Sequence, residues 1–82
     1  MTPTVLRIKG YRFFFFSNDL NEPSHIHIES GECLAKFWLE PVMLSRSTGF
    51  NSSELTHLRK LIDSKKSFLL EKWHEYFNIE SK

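Results

Sequence analysis

The chain has 82 residues, of which 40% are hydrophobic and 15% aromatic. This length and composition suffice for one small domain and exclude two, so we expect a single domain over residues 1–82. The formal net charge of +1 excludes capture of nucleic acid by overall charge. A nucleic-acid partner would need a local basic patch made by the fold.

Cysteine content and hydropathy exclude further classes of protein. The single cysteine, Cys33, cannot form an internal disulfide or a zinc site made of cysteines alone. The opening stretch MTPTVLRIKG lacks the apolar segment of a secretory signal, and no stretch approaches the roughly 20 apolar residues of a membrane span. We therefore expect a cytoplasmic protein without a membrane partner, and we predict no cofactor.

The first half of the chain is predicted to form β-hairpins. Val5 to Ile8 and Tyr11 to Ser17 are β-prone runs on either side of Lys9-Gly10, where glycine tolerates the positive φ of a two-residue turn. A second hairpin is predicted from two more runs and their turn, and a fifth strand after Pro41. These later segments are His25 to Glu29, Cys33 to Leu39, the turn Ser30-Gly31, and Val42 to Ser45.

The last third of the chain is predicted to be helical. Asn51 can cap a helix and Glu54 can complete a capping box, while Phe50 can pack against Leu55. Apolar residues then recur at helical spacing, and Asp63-Ser64-Lys65 interrupts them, which predicts two helices or one kinked helix. We therefore predict an α+β fold with an antiparallel four- or five-stranded sheet over residues 1–47. Two C-terminal helices over residues 50–78 are expected to pack on one face of the sheet.

Two-residue turns allow the side chains to be sorted by face. In the second hairpin this register predicts His25 opposite Lys36 and His27 opposite Leu34. Because the helices can cover only one face, the other face is expected to mix cations with aromatic rings. Its predicted members are Arg7, Arg12, Phe14, Phe16, His25, His27, Lys36 and Trp38. Such a surface can bind phosphates and stack bases, but an exposed apolar patch also marks protein interfaces, so both alternatives stay open.

The stretch NEPSHIHIE contains the candidate site, and three interpretations of His25 and His27 stay open. They could form an acid–base pair for RNA cleavage, with Lys36 stabilising the charge that develops on phosphate. They could instead ligate a metal, although Glu29 lies about 13 Å along the strand from His25 and a third ligand is hard to supply. They could also be ordinary polar residues of a half-exposed strand.

Acidic residues in the loop before Pro23 complete the candidate site. Asp19 and Glu22 could each orient a histidine by accepting a hydrogen bond from its ring, although ordinary turn chemistry is the favoured explanation of both residues. The sequence leaves open whether the protein is an enzyme. A metal-independent ribonuclease and a non-enzymatic module that binds protein or nucleic acid are the two alternatives.

Four consecutive phenylalanines point to a partner. Alternation along a strand places Phe13 and Phe15 in the core and leaves Phe14 and Phe16 outside it. Burying such a side chain is worth about 1.5 to 3 kcal/mol. We therefore expect a second protein, either a cognate antitoxin or another copy of this chain, to cover these rings together with Trp38.

Five segments of the sequence resemble a known family: PTVLRIKGYRFFFFSND, NEPSHIHIE, AKFWLEP, GFNSSEL and LLEKWHEYF. It is the small bacterial family catalogued as domain of unknown function 4160, and the resemblance covers nearly the whole chain. Ser24 stands where many relatives carry a second proline. The residues that mark the family are Ser17-Asn18-Asp19, Glu22-Pro23, His25, His27, Lys36, Trp38, Gly49-Phe50, Trp73 and Tyr76-Phe77.

The resemblance implies a function that composition and spacing do not. Members of the family are typically encoded beside a second small protein, which implies the toxin half of a type II toxin–antitoxin pair. The resemblance also makes His25 and His27 the strongest candidates for a functional site. It implies neither a reaction nor a target.

Overall fold

The computed structural model describes residues 4–16 and 21–77. Within them, five strands precede two helices and form one antiparallel sheet in the order β1-β2-β3-β4-β5. The predicted α+β fold is confirmed, with both helices on one face of the sheet. The elements are β1 Thr4–Ile8, β2 Tyr11–Phe14, β3 His25–Ser30, β4 Cys33–Leu39, β5 Val42–Thr48, α1 Ser52–Ser64 and α2 Lys66–Phe77.

The first hairpin turns at Lys9 and Gly10, as predicted. Their φ angles of 48° and 85° are both positive, which is the pattern of a type I′ turn and matches the twist of the flanking strands. Arg7 lies opposite Arg12 across this hairpin, and a register shift follows between Thr4 and Leu6. Strand β2 is shorter than predicted, and Ser17, its predicted end, lies outside the described residues.

The second hairpin turns at Gly31-Glu32, so the predicted turn at Ser30-Gly31 is wrong. His27 lies opposite Lys36 and His25 opposite Trp38, two residues away from the predicted pairs. The error leaves the faces unchanged, because side chains alternate with a period of two and a shift of two residues preserves their orientation. The predicted separation of Ile26 and Ile28 from the two histidines therefore holds.

Strand β5 runs to Thr48, three residues beyond its predicted end at Ser45. It pairs with β4 through an irregularity between Lys36 and Phe37. On the far side of this shift Arg46 lies directly opposite Lys36. The extra length of β5 thus adds a second cation beside the candidate site.

The helices begin and break where the sequence predicts. Asn51 Oδ1 accepts a hydrogen bond from Glu54 N–H at 2.8 Å, and Asn51 N–H donates to Glu54 Oε1 at 3.0 Å. This capping box satisfies two amide groups that the first turn of a helix leaves unpaired. Lys65 separates α1 from α2, so the prediction of two helices is confirmed. No helix among the described residues is long and apolar enough to span a membrane.

The hydrophobic core lies between the sheet and the helices. Strand residues that alternate toward the helices are buried there, and each helix contributes the apolar stripe that its periodicity predicts. Trp73 of α2 is the largest helical contribution and is 3% exposed. The main buried members are Phe13, Phe15, Ile26, Ile28, Phe37, Leu39, Leu58, Ile62, Leu69 and Trp73.

Candidate functional site

The sheet face opposite the helices carries most of the predicted site residues, but not His25, which is buried against α2. We call it the open face and define it by Arg12, Phe14, Phe16, His27, Lys36, Trp38 and Arg46. Strands β2 to β5 place these residues side by side, because antiparallel pairing brings equivalent positions of neighbouring strands into contact. Arg7 lies farther out on β1. Asp19, another predicted binding residue, lies outside the described residues.

Aromatic packing on the open face differs from the prediction. Phe14 is only 4% exposed, so the expectation that it faces water is wrong. Its ring stacks on His27 at a centroid distance of 5.4 Å, and Phe16 meets its edge at 5.2 Å. The Arg12 guanidinium lies 4.4 Å above the ring. Neighbours on the same face therefore cover Phe14, while Phe16 is 40% exposed.

Glu22 and Lys36 form an ion pair at one end of the open face. Lys36 Nζ lies 2.5 Å from Glu22 Oε1 and 4.7 Å from the centre of the Trp38 ring. The lysine side chain is 11% exposed, while the glutamate is 47% exposed. The charge of Lys36 is thus largely compensated by a residue of the loop before β3, and an incoming phosphate would have to displace or share that contact.

His25 is buried, and its orientation is set by the backbone. Its ring is 0% exposed and lies 5.2 Å from the ring of Trp73 in α2. The expectation that His25 lies exposed on the uncovered face is therefore wrong, because α2 packs against its ring. Nδ1 donates a hydrogen bond to the Pro23 carbonyl at 2.9 Å, which leaves the lone pair of the neutral imidazole on Nε2. Glu22 Oε1 is 3.8 Å from Nδ1, beyond hydrogen-bond distance. The Pro23 carbonyl therefore orients His25, the role that was predicted for Glu22.

His27 is half-buried and contacts aromatic rings on three sides. Its ring centroid is 4.6 Å from Phe16 and 4.9 Å from His25, with near-perpendicular planes in both pairs. The third neighbour is the stacked ring of Phe14. His27 is therefore the one of the two histidines that borders the accessible part of the open face. The buried ring of His25 contacts the ring of His27 on the side away from solvent.

The two arginines predicted as contacts lie together on β1 and β2. Arg12 Nη1 is 2.6 Å from Glu29 Oε1, and its Nε donates a hydrogen bond to Thr4 Oγ1 at 2.8 Å. Arg7 is exposed and borders, with Arg12 and Glu29, a shallow polar depression of about 460 Å³. The charge of Arg12 is thus shared with a carboxylate, and Arg7 is separated from the histidines.

A cavity of about 240 Å³ lies on the open face. Its lining includes aromatic rings, two cations and the hydroxyl residues Ser47 and Thr48 of β5. Its main lining residues are Phe14, Phe16, His27, Lys36, Arg46 and Thr48. Arg46 was missed from the sequence because the polar run Ser45 to Thr48 resembles a loop. The signal that could have found it is the alternation that puts Lys36 and Arg46 on one face.

The described residues do not provide enough well-placed ligands for a metal ion. Among residues 4–16 and 21–77, no group of three histidine, cysteine, aspartate or glutamate side chains is placed to hold one. The hydrogen bond to Pro23 also occupies Nδ1 of His25. A zinc site normally needs at least three protein ligands.

Comparison with protein families agrees with the features of the sequence. The family model described as Domain of unknown function (DUF4160) matches residues 10–74. The chain belongs to this family. Searches of curated proteins and of solved structures find no match.

The DUF4160 match covers most of the candidate site. It includes the histidine strand β3, the cations Lys36 and Arg46, and the loop that supplies Glu22. Arg7 lies before the matched segment. The parts of this DUF4160 member that form the cavity therefore belong to the family domain.

Proposed function

We propose that this DUF4160 member is the toxin-like component of a bacterial toxin–antitoxin pair and acts on RNA through the open face. The observation that carries the proposal is the cavity in which His27, Lys36 and Arg46 lie beside the exposed ring of Phe16. Cations bind the phosphates of single-stranded RNA, and aromatic rings stack on its unpaired bases. A histidine between them is placed for proton transfer near a bound phosphodiester.

The chemistry assigned to the site is cleavage by transphosphorylation. A base removes the proton from the ribose 2′-hydroxyl, the 2′-oxygen bonds to phosphorus, and the bond from phosphorus to the 5′-oxygen breaks. An acid gives a proton to that departing oxygen, and a nearby cation stabilises the charge on the phosphorane. The sequence assigns acid and base to the histidine pair. The burial of His25 favours His27 as the ring that contacts RNA, with Lys36 directly opposite it.

Growth and cleavage assays with matched histidine variants test this function. We would express wild type, His27→Gln and His57→Gln in growing cells, and purify each protein to incubate it with labelled single-stranded RNA. His57 is exposed on α1, so its variant controls for loss of a histidine elsewhere. We expect wild type and His57→Gln to arrest growth and cleave RNA, and His27→Gln to do neither while remaining folded. Growth arrest and cleavage by folded His27→Gln would exclude catalysis by this residue.

A non-enzymatic binding module is the second candidate function. It is favoured by two observations: His25 has no exposed surface, and Lys36 is already paired with Glu22. Both leave fewer groups ready for chemistry than the sequence suggests. This alternative would be supported if expression arrests growth and the purified protein binds RNA without cleaving it. RNA cleavage that depends on His27 would reject it.

A further inference from the structure

The cavity on the open face is small. Its volume of about 240 Å³ falls below the range of roughly 300 to 1,000 Å³ that is usual for drug-sized molecules. Apolar and aromatic surface from Phe14, Phe16 and His27 borders it, with Phe16 exposed at the rim. A single planar group that lies flat against an aromatic ring suits this size and lining.

The positive charge next to the cavity favours binding of an anion. Lys36 and Arg46 lie directly opposite each other on β4 and β5, and like charges in that position destabilise a strand pair. Glu22 offsets the charge of Lys36 at 2.5 Å. Arg46 is exposed, and within residues 4–16 and 21–77 no carboxylate lies at ion-pair distance from it. Its guanidinium can therefore bind a phosphate by donating two parallel hydrogen bonds to the phosphate oxygens.

We infer that the cavity binds one unpaired nucleotide, with the base against Phe16 and His27 and the phosphate on Arg46. A nucleotide combines a planar aromatic group with an anion a few ångströms away, which is the combination that the lining offers. The inference rests on the proposed function, since it identifies the element of an RNA chain that the open face recognises. The inference adds Arg46 to the residues that contact RNA. It also assigns base stacking to Phe16 and not to the buried Phe14.

Nuclear magnetic resonance titration of ¹⁵N-labelled protein tests the inference without requiring activity. The probes are uridine 5′-monophosphate, adenosine 5′-monophosphate, uridine, inorganic phosphate and phosphotyrosine. We expect both nucleotides to shift the amide signals of His27, Lys36 and Arg46, and uridine or phosphate alone to bind at least tenfold more weakly. Arg46→Gln and Phe16→Ala should each weaken nucleotide binding about tenfold, as expected for loss of a charged hydrogen bond or a stacked ring.

Control variants separate this site from general effects. Arg59→Gln removes an exposed charge of α1 and should leave nucleotide affinity unchanged. Circular dichroism and the amide spectrum show whether Arg46→Gln and Phe16→Ala are folded. Nucleotide shifts confined to Arg7 and Arg12 would overturn the inference, because they would place binding in the polar depression. Stronger binding of phosphotyrosine than of either nucleotide would also overturn it, since the cavity would then recognise a protein side chain.

Failure of the inference can be told apart from failure of the proposed function. If wild type cleaves or binds an RNA hexamer, and Arg46→Gln and Phe16→Ala do so equally well, the nucleotide cavity is wrong while the action on RNA stands. If wild type shows no growth arrest and no RNA cleavage, but mononucleotides bind with the expected dependence on Arg46, the cavity is correct and the proposed reaction is wrong. Absence of any nucleotide-induced shift up to millimolar concentrations overturns the cavity directly.

Discussion

Replacing Phe14 with alanine is expected to destabilise the fold strongly, although Phe14 lies outside the helix-covered core. The side chain is 4% exposed, so its removal leaves a space between His27, Phe16 and Arg12. Truncating a buried phenylalanine to alanine typically costs about 3 to 5 kcal/mol, through lost burial and the cavity left behind. Arg12 additionally loses the ring beneath its guanidinium, a contact worth about 0.5 to 1 kcal/mol at exposed sites.

The neighbouring Phe16 supplies a matched control for the same chemical change. It is 40% exposed, so about three-fifths of the full burial energy is at stake, or roughly 1 to 2 kcal/mol. A domain of this length has a total stability of about 4 to 12 kcal/mol. Phe14→Ala should therefore remove a large share of this stability, whereas Phe16→Ala should keep most of it.

Urea denaturation followed by circular dichroism measures both free energies of unfolding. We expect the loss for Phe14→Ala to exceed that for Phe16→Ala by about 2 kcal/mol or more. Equal losses of about 1 kcal/mol would refute the reasoning, because they would mean that Phe14 meets water in solution. In that case the packing of Arg12 and His27 around it would not be a stable feature of the open face.

Three further predictions follow from local features. Gly49→Ala should cost more than the control Gly31→Ala, since a Cβ at Gly49 would lie 2.8 Å from the Cys33 sulfur while Gly31 has open space. Both glycines have positive φ, which alone costs alanine about 1 to 2 kcal/mol, and thermal denaturation measures the difference. Asn51→Ala should lower the free energy of unfolding in urea by about 1 kcal/mol through loss of the capping box, and an unchanged value would mean that water replaces the cap. Phe16→Ala should weaken the complex with an antitoxin or a second copy by about 2 kcal/mol or more in calorimetry, and an unchanged affinity would place the interface elsewhere.

Local signals account for the parts of the fold that were predicted correctly. The first hairpin follows from Lys9-Gly10, and the start of α1 follows from Asn51 and Glu54, because each feature depends on residues close together in the chain. The turn of the second hairpin is different. Gly31 can occupy either position of a two-residue turn, and both choices send the same side chains to the core. Hydrophobic alternation therefore could not decide between registers that differ by two residues.

The site was less predictable than the fold, because its details depend on contacts between distant parts of the chain. Phe14 alternates like an exposed residue, yet side chains from β2 and β3 close over it. Arg46 lies in a polar run that becomes strand only by pairing with β4. The group that orients His25 is the backbone carbonyl of Pro23. A pattern of side chains in the sequence does not predict a backbone hydrogen-bond partner of this kind.

The pairing of charges on the open face determines how RNA binding should respond to salt. Arg12 is paired with Glu29 and Lys36 with Glu22, so phosphates entering here meet cations that are already largely neutralised. The affinity for single-stranded RNA falls with salt at a logarithmic slope of roughly 0.7 per phosphate contact. If Arg46 makes the principal contact, the slope should be about 0.7, and stacking on Phe16 should supply about 1 to 3 kcal/mol of the affinity. Fluorescence anisotropy with an RNA hexamer between 50 and 300 mM salt, roughly the range in which such slopes are measured, tests this balance. A slope of 3 or more, which takes about four phosphate contacts, would mean that RNA binds a more extended basic surface than Arg46 provides, and would refute this balance.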